Sequence, residues 1–520
     1  MLDFLRRRGV TDLGGFLQVE QRAALDLVME IAVDAQDAEL MGSAIALSSA
    51  SGISRATQLR RERDLASNEE LTSAIRAVQE ADAALDTADR AILAALASGK
   101  EVEKARKALT EAQVLREAAY RTLTNGYPDW QADTLESGTS IASLRGQLSE
   151  TEAFVALIPA YDGAYRLLVT SSQTQVDRIE APRAQLVEWA RQLRESAVAG
   201  AVDEAVARQL GEALLPAKTR AALEGTRVLK VLAGGPFASL PLPLLQITDQ
   251  GASFDWLLDR YALVNVPSLD SVTSQSHGNR DNVSFVAFAA PEAFGKASGS
   301  PIDRGSTSMQ GLAAYFGRER AATEALAALP ALPGAAREAR EIAASFNREN
   351  RALFVGADAR EENLSDQRVA TADVLLFATH GLVAGEVEGI AEPALVLSPS
   401  GENSAFDGVL TASEIAQLDL SADWIILTAC DSAAGFSGGL PAFSGLARAF
   451  RFAGGGSLLA THWRVRDDIA AYVAVEAVAH YRENGDKALA LQHAIQKLRT
   501  QSGIKGADRP ELWAPFVLVD

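Results

Sequence analysis

Two side chains in this sequence are candidates for a nucleophile and base pair, Cys430 and His380. Each follows an apolar run, Val374-Leu-Leu-Phe-Ala-Thr-His380-Gly381 in one case and Trp424-Ile-Ile-Leu-Thr-Ala-Cys430-Asp431 in the other. In open parallel sheets, sites form beyond the carboxyl ends of strands, so two such strands would present both residues along one edge. A thiol attacks as its thiolate, and a neighbouring imidazole takes that proton and later returns it to a leaving amine. Gly381 has no side chain, so its N–H can approach a developing oxyanion, and the Cys430 N–H is the second donor. Asp431 and Ser432 open a run of small residues, through Gly439, suited to admitting a substrate. Pro441 then fits the first turn of a helix. A lone cysteine at a strand end is usually a small buried hydrophobe. The joint placement with a histidine is what points to catalysis.

The other candidates are weaker. His462 also ends a strand-like run, Ser457-Leu-Leu-Ala-Thr461, but beside Trp463 it reads as a packed side chain. His480 and His493 fall on the solvated faces of amphipathic helices, and His277 in a polar loop. Gly435-Phe-Ser437-Gly-Gly439 has the form of a serine-hydrolase elbow, which must sit on a strand-to-helix turn. Ser437 lies seven residues past Cys430 (437 − 430), and no acid separates it from His462. Gly454-Gly-Gly456 lacks the Lys-Ser/Thr of a phosphate loop and reads as a helix stop. The five histidines have no metal-ligand spacing, and Cys430 is the sole cysteine, so no multi-cysteine zinc site and no internal disulfide exist. The expectation is chemistry without metal or cofactor.

Strand and helix patterns must position these residues. Strand candidates at 284–290, 352–355, 373–379, 423–429 and 457–461 alternate with helix candidates at 335–346, 412–418 and 442–452. That order predicts an α/β fold with a parallel sheet covered on both faces. A Gly/Ser-rich interruption at 292–333 carries Lys296, Arg304, Arg318 and Arg320, and is a candidate self-processing or gating loop. Upstream, 149–280 reads as two strands around Asp162-Gly163, helices at 181–198 and 201–224, and strands at 227–232 and 261–266. Residues 1–148 are helical almost throughout, with an antiparallel hairpin broken at Ser98-Gly99-Lys100 and stopped at Asn125-Gly126-Tyr127-Pro128. No 34-residue repeat is evident. Such helices either pack against the rest of the chain or serve as a binding arm.

Composition bounds the function classes. With 520 residues, 48% hydrophobic and 22% charged, the chain is globular rather than disordered. Its net charge of −19, from 49 basic and 68 acidic residues, repels phosphate backbones, and no basic patch offsets it. No apolar run reaches the roughly 18 residues of a membrane helix, and the start lacks the apolar segment of a secretion signal. A soluble, cytoplasmic protein without nucleic-acid contact is expected.

The order His then Cys, 50 residues apart (430 − 380), matches caspase spacing, although the local caspase signature is absent. Further motifs resemble the CHAT family of caspase-like, separase-related peptidases. They are Ala372-Asp-Val-Leu-Leu-Phe-Ala-Thr-His-Gly381, Asp407-Gly-Val-Leu-Thr-Ala-Ser-Glu-Ile415 and Trp424-Ile-Ile-Leu-Thr-Ala-Cys-Asp-Ser-Ala433. Leu446-Ala-Arg-Ala-Phe-Arg-Phe-Ala-Gly454, Trp463-Arg-Val-Arg-Asp467, Trp513-Ala-Pro-Phe516, Leu329-Pro-Ala-Leu-Pro-Gly334 and Gly235-Pro-Phe-Ala-Ser-Leu-Pro241 extend the likeness over about 150–520. The resemblance implies a cysteine endopeptidase with Cys430 as nucleophile and His380 as general base and acid. It also implies an inactive caspase-like lobe at 149–280 and an active lobe at 281–520, behind a divergent tetratricopeptide-like region at 1–148. Relatives often carry tetratricopeptide-like helices in front, and some belong to bacterial defence systems that cleave a partner protein when triggered, so a protein substrate and a regulatory protein partner on the helical region are expected. The alternative is a catalytically silent scaffold for protein–protein interaction. Two departures stand out: Asp431 beside the nucleophile opposes thiolate formation unless it points away. Thr428 replaces the acid that in related metacaspases selects basic residues.

Overall fold

Strands without a polar residue, such as Phe285-Val-Ala-Phe-Ala289 and Val374-Leu-Leu-Phe-Ala378, are buried at every position and need apolar cover on both faces. The computed structural model provides it. It describes residues 19–48, ten positions between 70 and 88, 102–126, 140–248, 254–272 and 282–292. It further describes 326–382 apart from 328, 330, 331 and 333, then 393–400, 406–428, 443–463 and 465–520.

In chain order the strands are β1 (Glu152–Pro159), β2 (Ala164–Thr170), β3 (Thr174–Ile179), β4 (Val228–Ala233), β5 (Gln246–Thr248), β6 (Phe254–Trp256), β7 (Ala262–Asn265) and β8 (Phe285–Ala289). They continue with β9 (Arg351–Val355), β10 (Val374–Ala378), β11 (Gly381–Leu382), β12 (Ala394–Val396), β13 (Val409–Thr411), β14 (Trp424–Leu427), β15 (Ser457–Thr461) and β16 (Phe516–Val519). Among the described residues one sheet takes 11 of them, in the order β3-β2-β1-β4-β7-β16-β15-β14-β10-β8-β9. The sheet is therefore continuous from the 149–280 half into the 281–520 half, joined where β16 lies beside β7.

The fold class is the expected α/β type, with two refinements. Most pairings are parallel, but β2 and β3 add an antiparallel edge, and β16 runs antiparallel to β15. The helical stretch expected at 201–224 is two helices, Glu204–Leu214 and Ala217–Ala222. Pro216 separates them, because it has no N–H for an unbroken helical ladder.

Side-chain alternation assigns the two faces. Leu376, Ala378 and Ile426 join a core shared with the helices Ala335–Ala344 and Asp467–Asn484. Leu375, Phe377, Ile425 and Leu427 point the other way, toward Leu446 and Phe450 of the helix Phe443–Ala453. Phe377 lies 5.4 Å from Phe288 and 5.5 Å from Phe450, ring centre to ring centre. Gly454, with φ +105°, ends that helix as a residue free to adopt the left-handed region.

The amino ends of the strands are pinned by polar groups. Ser284 N and Oγ both donate to Asp373 Oδ2 at 2.7 Å, tying β8 to β10. The Lys487 Nζ donates to Asp423 Oδ1 at 2.6 Å and to Ser457 Oγ at 2.9 Å, tying β14 to β15. The carboxyl edge is left for other uses.

The described N-terminal residues are helical, as expected, and those at 19–48 pack against the sheet. Met41, Ala44 and Ile45 are buried in the large core beside β2 and β3. Glu39 accepts from Ile141 N and Ala142 N, both at 2.9 Å, and so caps the helix Ile141–Gln147. Leu85, Ala88 and Ala112 form a separate small cluster, the contact a hairpin between 70–88 and Val102–Gly126 requires. The 292–333 interruption, with Lys296, Arg304, Arg318 and Arg320, lies almost wholly outside the described residues.

Removing Phe377 takes the middle ring from a close-packed row. Phe377→Ala is expected to cost about 3–5 kcal/mol of unfolding free energy in a denaturant titration. A loss below about 1 kcal/mol would show that this face is loosely packed.

Candidate active site

Parallel pairing of β10 with β14 sets Val374 opposite Trp424 and Phe377 opposite Leu427. The offset is 50 residues (427 − 377), the same as the separation of His380 from Cys430 (430 − 380). In sequence, His380 is three positions past the last β10 residue paired with β14, and Cys430 is three past that residue's partner, Leu427. The backbone holds this register to the carboxyl edge, where Thr428 N donates to Phe377 O at 3.2 Å. Cys430, Asp431, Ser432 and the Gly435–Gly439 elbow motif lie outside the described residues.

His380 is half-buried at the turn from the main sheet into a small one built of β11, β12 and β13. Its backbone is held from both sides. Val396 N donates to His380 O at 2.8 Å, and the fully buried Thr379 hydroxyl donates to Val396 O. Gly381 comes directly after, buried and paired with Leu395 of β12. Two strand ends and a cross-sheet therefore fix the chain that carries the imidazole.

Two buried carboxyls support this edge. The Glu338 side chain, from the helix Ala335–Ala344, is 1% exposed and accepts from Thr428 Oγ1 at 3.2 Å through Oε2. Burial pushes its pKa up to about 8. The Thr428 hydrogen bond works against that shift, and the charges of Asp467 and Glu341 add to it. Glu361 Oε1 accepts from Gly408 N at 2.5 Å, which fastens the turn into β13. Burial raises it to about 7, opposed by the Gly408 hydrogen bond and assisted by Asp407 and Glu414. Gly408, at φ +87°, is the residue type that such a turn admits.

Sequence reasoning alone does not single out either glutamate as functional. A signal exists for Glu338: Ala335, Glu338, Ala339 and Ile342 occupy one buried helix face, so a charged residue interrupts an apolar stripe. Glu361 sits in a short 3₁₀ turn, Glu361–Ser365, where no periodicity could mark it.

His462 is buried, as its place beside Trp463 suggests, with ring centres 6.4 Å apart. It lines a small cavity with Leu242, Leu258, Leu263 and Phe516, between the two halves of the sheet. Burial, with the positive charge of Arg194, holds its pKa down to about 3, so it is neutral near pH 7. His480 and His493 stack on each other at 4.2 Å on the helices Asp467–Asn484 and Lys487–Gln501. His277 lies outside the described residues. In the other half, β4 ends in Ala233-Gly234-Gly235 where β10 leads to Thr379-His380-Gly381. No described helix is long and apolar enough to cross a membrane.

The sequence matches the CHAT domain family over residues 204–520. The chain belongs to the CHAT-domain family. No curated protein matches the sequence. Among solved structures, a chain of the Saccharomyces cerevisiae separase–securin complex aligns with all of this CHAT chain at 11% identity and TM-score 0.40. The chain spans about half (47%) of that chain's length. The complex of Porphyromonas gingivalis RgpB pro- and mature domains aligns over 64% of this chain and 74% of its own, at 10% identity and TM-score 0.32.

The buried imidazole gives a pH signature. Below its ordinary value of 6.5, an unfolded His462 gains a proton that the folded one refuses down to about 3. Folding stability therefore falls as pH drops through that window. Unfolding midpoints measured from pH 7 to pH 4 are expected to fall more steeply in the wild type than in His462→Gln. Parallel slopes would mean that the folded protein tolerates the charged imidazole.

Proposed function

We propose that this CHAT protein is a cysteine endopeptidase in which Cys430 attacks the scissile carbonyl and His380 moves the proton. The observation that supports the reading is the shared 50-residue offset: Phe377 pairs with Leu427, and His380 and Cys430 each follow three residues later in sequence. His380 takes the thiol proton, and the thiolate sulfur bonds to the carbonyl carbon. The carbonyl oxygen becomes an oxyanion that the N–H groups of Gly381 and Cys430 receive. Collapse breaks the C–N bond, His380 returns its proton to the leaving amine, and water then cleaves the thioester with the imidazole as base.

Family membership and the backbone anchoring of His380 on Val396 support this assignment. The neutral, buried His462 in the cavity between the sheet halves makes a poor rival base. Asp431 and Ser432 belong to the substrate-facing loop in this reading. The substrate is a partner protein, and the helical N-terminal region is the place for a regulatory protein, as in a cytoplasmic bacterial defence or signalling system. Neither metal nor cofactor is needed for these steps.

Cys430 is the sole thiol, so intact-mass labelling with a peptidyl electrophile reports on it alone. Wild-type labelling is expected to exceed that of His380→Ala by roughly a hundredfold or more, since positioned acid–base groups contribute on that scale. His462→Gln should label like the wild type. A thiol no more reactive in the folded protein than in urea would leave the fold as an interaction scaffold and sink the peptidase assignment.

A further inference from the structure

Glu338 is a costly residue for its position. The face it shares with Ala335, Ala339 and Ile342 is packed against the sheet, and an alanine or leucine there would need no hydrogen bonds. Of its two oxygens, Oε2 meets the Thr428 hydroxyl, while Oε1 is buried with no hydrogen-bond partner among the described residues. An unpartnered buried acceptor costs on the order of 1–3 kcal/mol, so stability does not explain the carboxyl. Its one bond reaches the last described residue before the proposed nucleophile, since Cys430 lies two positions beyond Thr428.

We infer that Glu338 is a positioning residue for the proposed peptidase, whose buried carboxyl holds Thr428 and thereby the outgoing end of β14. The inference rests on the Cys430–His380 reading. Thr428 is bound on both sides: its N–H to Phe377 O of β10 and its hydroxyl to Glu338. The first bond keeps the register of the strands that lead to His380 and Cys430. The second joins that edge to a helix whose own start is fixed, because Gly334 N donates to Asp467 Oδ2 at 2.9 Å. A methyl group at Gly334 would sit 2.1 Å from that oxygen, so any larger residue there would force the Asp467 carboxylate to move.

The device depends on charge. Facing Glu338 are Asp467 from the helix Asp467–Asn484 and Glu341 from its own helix, both acidic, and the Thr428 hydroxyl beyond β14. Strands β8 and β10, which pack under the helix, present no titratable group. Arg351 of β9 is spent at the far end of the helix on Ala343 O, and Arg482 lies over the Phe346 ring. Only the Thr428 hydrogen bond favours a negative carboxylate; burial and the charges of Asp467 and Glu341 outweigh it, and with a pKa raised to about 8 the group is mostly uncharged at neutral pH. Ionisation buries a charge beside two acids, a cost that the Thr428 hydrogen bond does not offset, and so strains the contact between the helix and the strand end. The contribution to folding stability is fully present below the ordinary value of 4.5 and is lost as pH rises through about 8.

The test compares wild type, Glu338→Gln, Glu338→Ala and Thr428→Val by electrophile labelling of Cys430 and by unfolding midpoint, each from pH 6 to 9.5. Glutamine keeps the shape and the hydrogen bond without a proton to lose. Its labelling rate should stay within a few-fold of wild type at pH 7 and exceed it several-fold by pH 9, because only the wild type loosens. Glu338→Ala and Thr428→Val should label at least tenfold more slowly at pH 7 while still unfolding cooperatively. The unfolding midpoint of the wild type should fall relative to Glu338→Gln as pH rises toward 9. A ratio of glutamine to wild-type rates that is flat with pH, or wild-type labelling in Glu338→Ala, overturns the inference. Absence of labelling in every form instead overturns the peptidase reading, and the unfolding comparison then still decides whether the carboxyl is held uncharged against Thr428.

Discussion

Val374 pairs with Trp424 and Phe377 with Leu427 across two parallel strands that are buried on both faces. A slip of one residue along this ladder would turn Leu375, Phe377, Ile425 and Leu427 from one packed core into the other, against helices shaped for different side chains. The register is therefore held by many apolar contacts at once, and the residues just beyond the strands inherit it. In sequence, His380 and Cys430 each follow by three residues the last pair of this ladder, Phe377 and Leu427. The polar pins at Ser284–Asp373 and at Lys487–Asp423 act on the opposite edge, so the carboxyl edge need not carry the fold's own stabilising bonds.

The carboxyl edge is instead braced from outside the main sheet. The small β11-β12-β13 sheet takes hold of the chain at Thr379, His380 and Gly381, and the Ala335–Ala344 helix takes hold of Thr428. A buried carboxyl with a raised pKa lies in each brace, Glu361 at the turn into β13 and Glu338 behind β14. Such groups weaken a core, and perturbed acids gather where a site needs them. Their position on the two sides of one edge links the cost in stability to the chemistry proposed there.

Much of this frame is legible from residues. Runs such as Val374-Leu-Leu-Phe-Ala and Trp424-Ile-Ile-Leu read as buried strands because no polar position interrupts them, and their ends name His380 and Cys430. The short strands β11 to β13 are not legible, since two or three residues carry no period and Gly381 finds its partner Leu395 only through tertiary folding. Strand β3, Thr174-Gln-Val-Asp-Arg-Ile179, is hidden because its polar side chains suit a sheet edge as well as a loop. The antiparallel β16 sits at the chain's last residues, where Phe516-Val-Leu-Val519 reads as the end of a motif rather than as the strand that joins the sheet halves. Glu338 is visible as a charge within an apolar stripe, but only the fold shows that the stripe ends under Thr428.

Every step proposed at this edge requires His380 to meet Cys430. A crystal structure of the protein carrying a covalent peptidyl adduct measures that meeting directly. The adduct is expected on Cys430 Sγ, with an imidazole nitrogen of His380 within about 3–4 Å of the reacting atoms and the carbonyl oxygen facing the Gly381 N–H. An adduct whose reacting atoms lie beside another base, or a His380 imidazole turned away with the strands still in register, would contradict it.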